Sequence, residues 1–113
     1  MMRKVTIQVE AIETGLERFT IAWKTGKRQR EFIAFETIEE MLKTLTANRW
    51  VLLRVLQAEG PMSVRVLARQ VRRDIKNVHT DVVVLKAVGL VEDHEQGIWV
   101  PYTEIEAYLR LAA

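Results

Sequence analysis

The sequence predicts an α+β fold, and three observations predict it. Residues 4–10 alternate polar and apolar side chains and carry β-branched residues, the pattern of a strand. Residues 63–90 hold two stretches of helical periodicity joined by a short basic turn. Directly after them, Gly89 leads into two strand-like stretches around Glu95-Gln96-Gly97, the pattern of a hairpin. At 113 residues, nearly half of them apolar, the chain can bury a real core. It fits one compact unit, or a small domain with an extension.

The order begins βαβα. After the strand at 4–10, residues 11–24 place Ile12, Leu16, Phe19 and Trp23 at helical spacing, and Thr25-Gly26-Lys27 stops that helix. Residues 29–35 read as a second strand, expected to pair with the first in one small sheet. Thr37-x-x-Glu40 is a capping box that opens a short helix reaching Leu45. Thr46 caps the next helix, 47–59, which Gly60-Pro61 closes. Leu45, Leu52, Leu53 and Leu56 form one apolar stripe there, and Trp50, Val51 and Val55 a second. A helix apolar on two sides should be buried twice.

In the next stretch Val64, Leu67, Ala68 and Val71 recur at i, i+3, i+4 and i+7, so they share one helical face. Val78, Val82 and Leu85 do the same in the segment after it. Between them, Arg72-Arg73-Asp74 ends one helix and starts the other, with Asp74 in position to cap the second. A hydrophobic core needs none of the side chains left outside: Lys76, Asn77, His79 and Thr80. They fall in the first turn and a half of the second helix, where such groups can reach base edges. Asn bonds adenine, Lys bonds guanine, and Thr80 suits a thymine methyl or a phosphate. His79 reads equally well as a contact or as an ordinary surface histidine. Ser63, Arg65, Arg69, Arg72 and Arg73 are the expected phosphate contacts, with an ion pair to Asp81 as the alternative for Arg69. About four such contacts per subunit imply a salt slope near −3.6. Beyond the hairpin, Thr103-x-x-Glu106 is another capping box. It predicts a terminal helix carrying Ile105, Tyr108, Leu109 and Leu111.

Charge is uneven along the chain. Residues 1–45 carry eight Lys/Arg against seven Asp/Glu, 46–89 eight against three, and 90–113 one against five. The net +2 therefore hides a cationic middle that coincides with the two-helix motif, an electrostatic footprint for phosphate. Catalysis finds little support. There is no cysteine, Ser63 is the single serine, His79 and His94 are the two histidines, and no Gly-rich phosphate loop occurs. No enzyme activity, metal or cofactor is expected. The dispersed Trp23, Trp50 and Trp99 read as core or interface rather than as a base-stacking platform. No apolar run approaches the roughly 20 residues of a membrane span. The expectation is a cytoplasmic protein.

From residue 45 to 111 this order resembles the winged helix-turn-helix transcriptional regulators. It is most similar to a group of small prokaryotic DNA-binding, antitoxin-like proteins. The likeness rests on L-T-A-N-R-W-x-L-L-R (45–54), L-A-R-Q-V-x-R-D-x-K-N-V-H-x-D-V (67–82), G-L-V-E (89–92) and W-V-P-Y-x-E-I (99–105). The resemblance implies a winged helix-turn-helix at 46–113, with a three-helix core, a hairpin wing and a C-terminal helix. The βαβα extension at 1–45 is then a dimer or partner interface. It implies a sequence-specific double-stranded DNA-binding regulator, a repressor acting as a homodimer. The rival reading is an antitoxin-type module that holds a cognate toxin and represses its own promoter; RNA binding is a third possibility. Three features depart from the pattern. Arg72 stands where such turns favour a left-handed Gly, which costs on the order of 1 kcal/mol if that conformation is kept. Val83 stands where a basic residue is common. The wing residues Glu92, Asp93 and Glu95 are acidic and would be repelled by phosphate.

Overall fold

The computed structural model describes residues 3–9 and 31–109. Within them lie four helices and five strands, an α+β arrangement. In chain order these are β1 (Lys4–Val9), β2 (Glu31–Phe35), α1 (Ile38–Thr44), α2 (Ala47–Glu59), α3 (Val64–Val71), α4 (Ile75–Val88), β3 (Glu92–His94), β4 (Gly97–Trp99) and β5 (Glu104–Leu109). The helix expected over 11–24 lies outside the described residues. The chain divides into two compact units, Met1–Thr44 with Tyr102–Ala113, and Leu45–Pro101. The C-terminal stretch thus returns to the first unit, where a continuous 46–113 domain was expected.

The first unit is built on a parallel sheet of order β2-β1-β5. As the central strand, β1 is covered on both faces: Val5, Ile7 and Val9 are buried, and so are Thr6 and Gln8. Ile7 lies in register with Ile33 and Ala107. The α1 helix opens as its sequence suggests, Glu40 N–H donating to Thr37 Oγ1 at 3.0 Å.

The terminal helix is overturned: residues 104–109 form strand β5, paired with β1 along its whole length. Thr103, expected to cap a helix, docks the strand instead. Its N–H and its hydroxyl both donate to the Arg3 carbonyl, at 2.8 and 3.0 Å. Lys4 adds an ion pair to Glu104 at 3.1 Å, and the Arg3 guanidinium lies over the Tyr102 ring. Arg3 also holds Glu31 in a two-pronged bond, and that hydrogen bond keeps the Glu31 carboxyl below its ordinary range. The physical reason for the strand is backbone satisfaction. A central β1 needs hydrogen-bond partners along both edges, and pairing supplies more of them than a local cap.

In the second unit Thr46 caps α2, its Oγ1 accepting from Arg49 N–H at 3.4 Å. The stripe Leu45, Leu52, Leu53 and Leu56 is buried as its spacing requires. Trp50, Val51 and Val55 are only half-buried. Leu67, Val78, Val82, Leu85, Leu90 and Val91 complete the core. Each large side chain fully withdrawn from water contributes about 1.5–3 kcal/mol. The β3–β4 hairpin is tied to the segment before α3 by reciprocal Met62–Ile98 bonds of 3.0 and 2.9 Å. Gly97 makes that approach possible, since a Cβ there would lie 2.3 Å from the Met62 carbonyl oxygen. The hairpin therefore fixes where α3 begins.

Candidate functional site

The site is the outer edge of α3, the turn after it, and the start of α4. Ser63 caps α3, its Oγ accepting from Val66 N–H at 3.1 Å, which leaves its own proton to donate outward. Leu67 and Ala68 point into the core. Arg65 and Arg69, one turn apart, are exposed along one side of α3. Val64 and Val71, expected in the core, are half-buried.

The helix ends in a turn with two backbone bonds, Arg72 N–H to Arg69 O at 3.3 Å and Arg73 N–H to Ala68 O at 3.1 Å. This is the Schellman pattern, and it requires a left-handed residue between the two helices. Arg72 takes that conformation, at φ 56° and ψ 47°. Among the described residues it is the sole non-glycine with positive φ. The usual turn is kept, with the strain a side chain brings. Arg72 remains exposed.

Arg73 goes the other way. Its Nη2 donates to Asp81 Oδ2 at 2.8 Å, and its Nη1 is buried without a hydrogen-bond partner. Asp81, 13 % exposed, also accepts from Arg49 Nε at 3.0 Å. The phosphate role expected for Arg73 does not suit this placement, because two of its nitrogens are turned inward. Nor does Asp81 pair with Arg69. The acid joins α2, the turn and α4 in one cluster.

Asp74 sits at the start of α4, where its carbonyl accepts from Val78 N–H at 3.1 Å, but its side chain makes no capping bond. Val78, Val82 and Leu85 are buried, so the helix presents Lys76, Asn77, His79 and Thr80 to solvent. The Thr80 hydroxyl is taken, donating to the Lys76 carbonyl at 3.0 Å. That leaves its methyl as the group to offer. Lys76, His79 and Thr80 line a shallow open groove of about 480 Å³ together with Val64 and Ile75. Asn77 is exposed beside it but does not line it.

The charge around this edge is uncommitted. Lys86 pairs with Asp93 of the hairpin at 2.8 Å, and Arg49 and Arg73 share Asp81. Among the described residues no ion pair holds Arg65, Arg69, Arg72 or Lys76. His94 serves the hairpin, its Nδ1 accepting from Gln96 N–H and its ring meeting Trp99 edge to face. No group of three or more His, Asp or Glu among the described residues is placed to hold a metal ion. No helix there is long and apolar enough to cross a membrane.

Sequence reasoning missed Ile75. The first residue of α4, it is 38 % exposed and stands among the polar side chains of the site.

A family model described as HVO_A0114 matches residues 44–107, more than half of the chain. No curated protein and no solved structure matches.

Proposed function

This chain belongs to the HVO_A0114 family, and we propose that it is a sequence-specific reader of double-stranded DNA, a transcriptional regulator acting as a homodimer. One observation carries the reading: exposed Lys76, Asn77, His79 and Thr80 at one helix start, flanked by the unpaired cations Arg65, Arg69 and Arg72. In this reading the second unit is a winged helix-turn-helix and α4 the helix that enters the major groove, N-terminal end first. Asn77 would bond adenine through N6 and N7, and Lys76 guanine through O6 and N7. His79 and Thr80 stand one turn further on. Arg65, Arg69 and Arg72 would meet phosphates, joined by the Ser63 hydroxyl. Arg73 is left out, held as it is by Asp81. The acidic hairpin, with Asp93 partly neutralised by Lys86, is not given a phosphate contact. Two subunits would place their α4 helices about one DNA turn apart, roughly 34 Å. Repression follows from occupying a promoter in this way. Light scattering at working concentration tests the dimer, and a monomer removes it.

A protein-holding role, such as binding a cognate toxin, is the second reading. It is favoured by Phe32, Leu42 and Leu109 of the first unit, which are 46 %, 58 % and 41 % exposed. The experiment that separates the two is the double substitution Lys76→Ala with Asn77→Ala. Specific duplex binding should fall by about 1–3 kcal/mol per lost base contact. Thermal stability should stay within about 0.5 kcal/mol, as both side chains are exposed. Unchanged duplex affinity with lost partner binding would reverse the assignment.

A further inference from the structure

The groove at the start of α4 has two kinds of lining side chain. Val64 and Ile75 give it an apolar lining and Lys76 and His79 a polar one, and Thr80 joins them with its hydroxyl already bonded. An exposed Ile at the leading edge of a cationic surface is not explained by packing, because Ile75 remains 38 % open to solvent. Nor is it explained by charge. We infer that this groove reads thymine: the C5-methyl rests against Ile75, Val64 and the Thr80 methyl, and the neighbouring O4 accepts from His79.

The inference rests on the duplex-reading proposal above and deepens it. Thymine is the one base whose major-groove edge offers a methyl beside an acceptor. Cytosine presents a donor at the corresponding position and no methyl, so it would set an N–H against the His79 N–H and leave the apolar side chains in water. The purines present N7 acceptors without a methyl. The surrounding cations Arg65, Arg69 and Arg72 suit a polyanion as the occupant rather than an apolar peptide.

The test uses the whole protein and duplexes it selects from a random pool. Each thymine of the selected site is replaced singly by deoxyuridine, which deletes the methyl and keeps O4. At one position per half-site, wild-type affinity should fall about fourfold, the equivalent of ~0.8 kcal/mol for one buried methyl-sized group. Ile75→Ala should bind the thymine duplex about fourfold more weakly and be indifferent to the exchange at that position. The deoxyuridine series leaves the protein untouched, so it stands even if Ile75→Ala folds poorly; Ile75→Val gives a milder second variant. A selected site at which every exchange is silent overturns the thymine assignment while duplex reading survives. A change of oligomeric state in Ile75→Ala gives the groove to a second copy and also overturns it. A pool that yields no preferred sequence removes both proposals together.

Discussion

The α3 and α4 helices end in the same hydrogen-bonded turn, made from different residues. At the end of α4, Gly89 N–H donates to Lys86 O at 3.1 Å and Leu90 N–H to Leu85 O at 3.0 Å. At the end of α3, Arg72 and Arg73 make the equivalent pair of bonds to Arg69 and Ala68. Gly89 takes the left-handed position at φ 93° without a side chain to strain, and Leu90 then anchors the chain in the core. Arg72 takes the same position at φ 56°, and the anchor after it is an ion pair, Arg73 to Asp81. Glycine followed by leucine is the simpler way to build this turn. The α3 end gives up about 1 kcal/mol of that simplicity and keeps two cations where it could have had none. A turn selected for stability alone would resemble the α4 end. In the proposed reading, the difference is that Arg72 is kept at the α3 end for a phosphate contact.

Breaking the anchor should have the largest effect. Asp81→Ala leaves Arg49 and Arg73 without the carboxylate that both share, at 16 % and 25 % side-chain exposure. Removing one member of a buried ionic cluster is strongly destabilising; with the partial exposure here, about 3 kcal/mol is expected. Urea denaturation should show the loss as a lower midpoint with an unchanged slope. A loss below about 0.5 kcal/mol would mean that Arg73 does not anchor the turn as Leu90 anchors its counterpart. Asp81→Asn keeps one acceptor and should recover part of the loss.

Making the two turns alike sharpens the comparison further. Arg72→Gly should raise stability by about 1 kcal/mol, since glycine adopts the left-handed conformation without the side-chain penalty. The same change should weaken duplex binding. With Arg65, Arg69 and Arg72 as phosphate contacts, the salt slope should be about −2.7 per subunit, and in Arg72→Gly about −1.8. Opposite signs on stability and affinity from one substitution are the signature of a residue retained for contact. If stability rises and the slope does not move, Arg72 is merely tolerated.

Much of this was legible from residue patterns, and the exceptions have physical causes. The capping boxes make the point. Thr37-x-x-Glu40 and Thr103-x-x-Glu106 carry the same local signal, and the first opens α1. The second becomes β5, because Thr103 meets the Arg3 carbonyl and an unpaired edge of β1. Local propensity is a weak prior, and a strand edge from the far end of the chain is not visible in a window of four residues. The helical stretches of the second unit were legible because their apolar spacing is long and regular. The outward placement of Lys76, Asn77, His79 and Thr80 followed from the same spacing. Arg73 was not, since a run of two arginines gives no sign of which turns inward. That depends on Asp81, eight residues further on within α4, and on Arg49 from α2.

The smallest effect expected lies just before the α4 turn. Lys86 and Asp93 form an ion pair at 2.8 Å with 40 % and 75 % of their side chains exposed. Exposed pairs of this kind contribute a few tenths of a kcal/mol, so Lys86→Ala should change stability by less than about 0.5 kcal/mol. Its value is in what it does to the hairpin, where Asp93 is left without its partner beside Glu92 and Glu95. Were that hairpin close to phosphate, the extra negative charge would weaken duplex binding and flatten its dependence on salt. The proposed reading puts the phosphate-contacting cations at the α3 turn instead, so affinity in Lys86→Ala should stay within about twofold of wild type. A larger loss, recovered when Asp93→Asn is added, would move the contacting surface from the α3 end toward the α4 end.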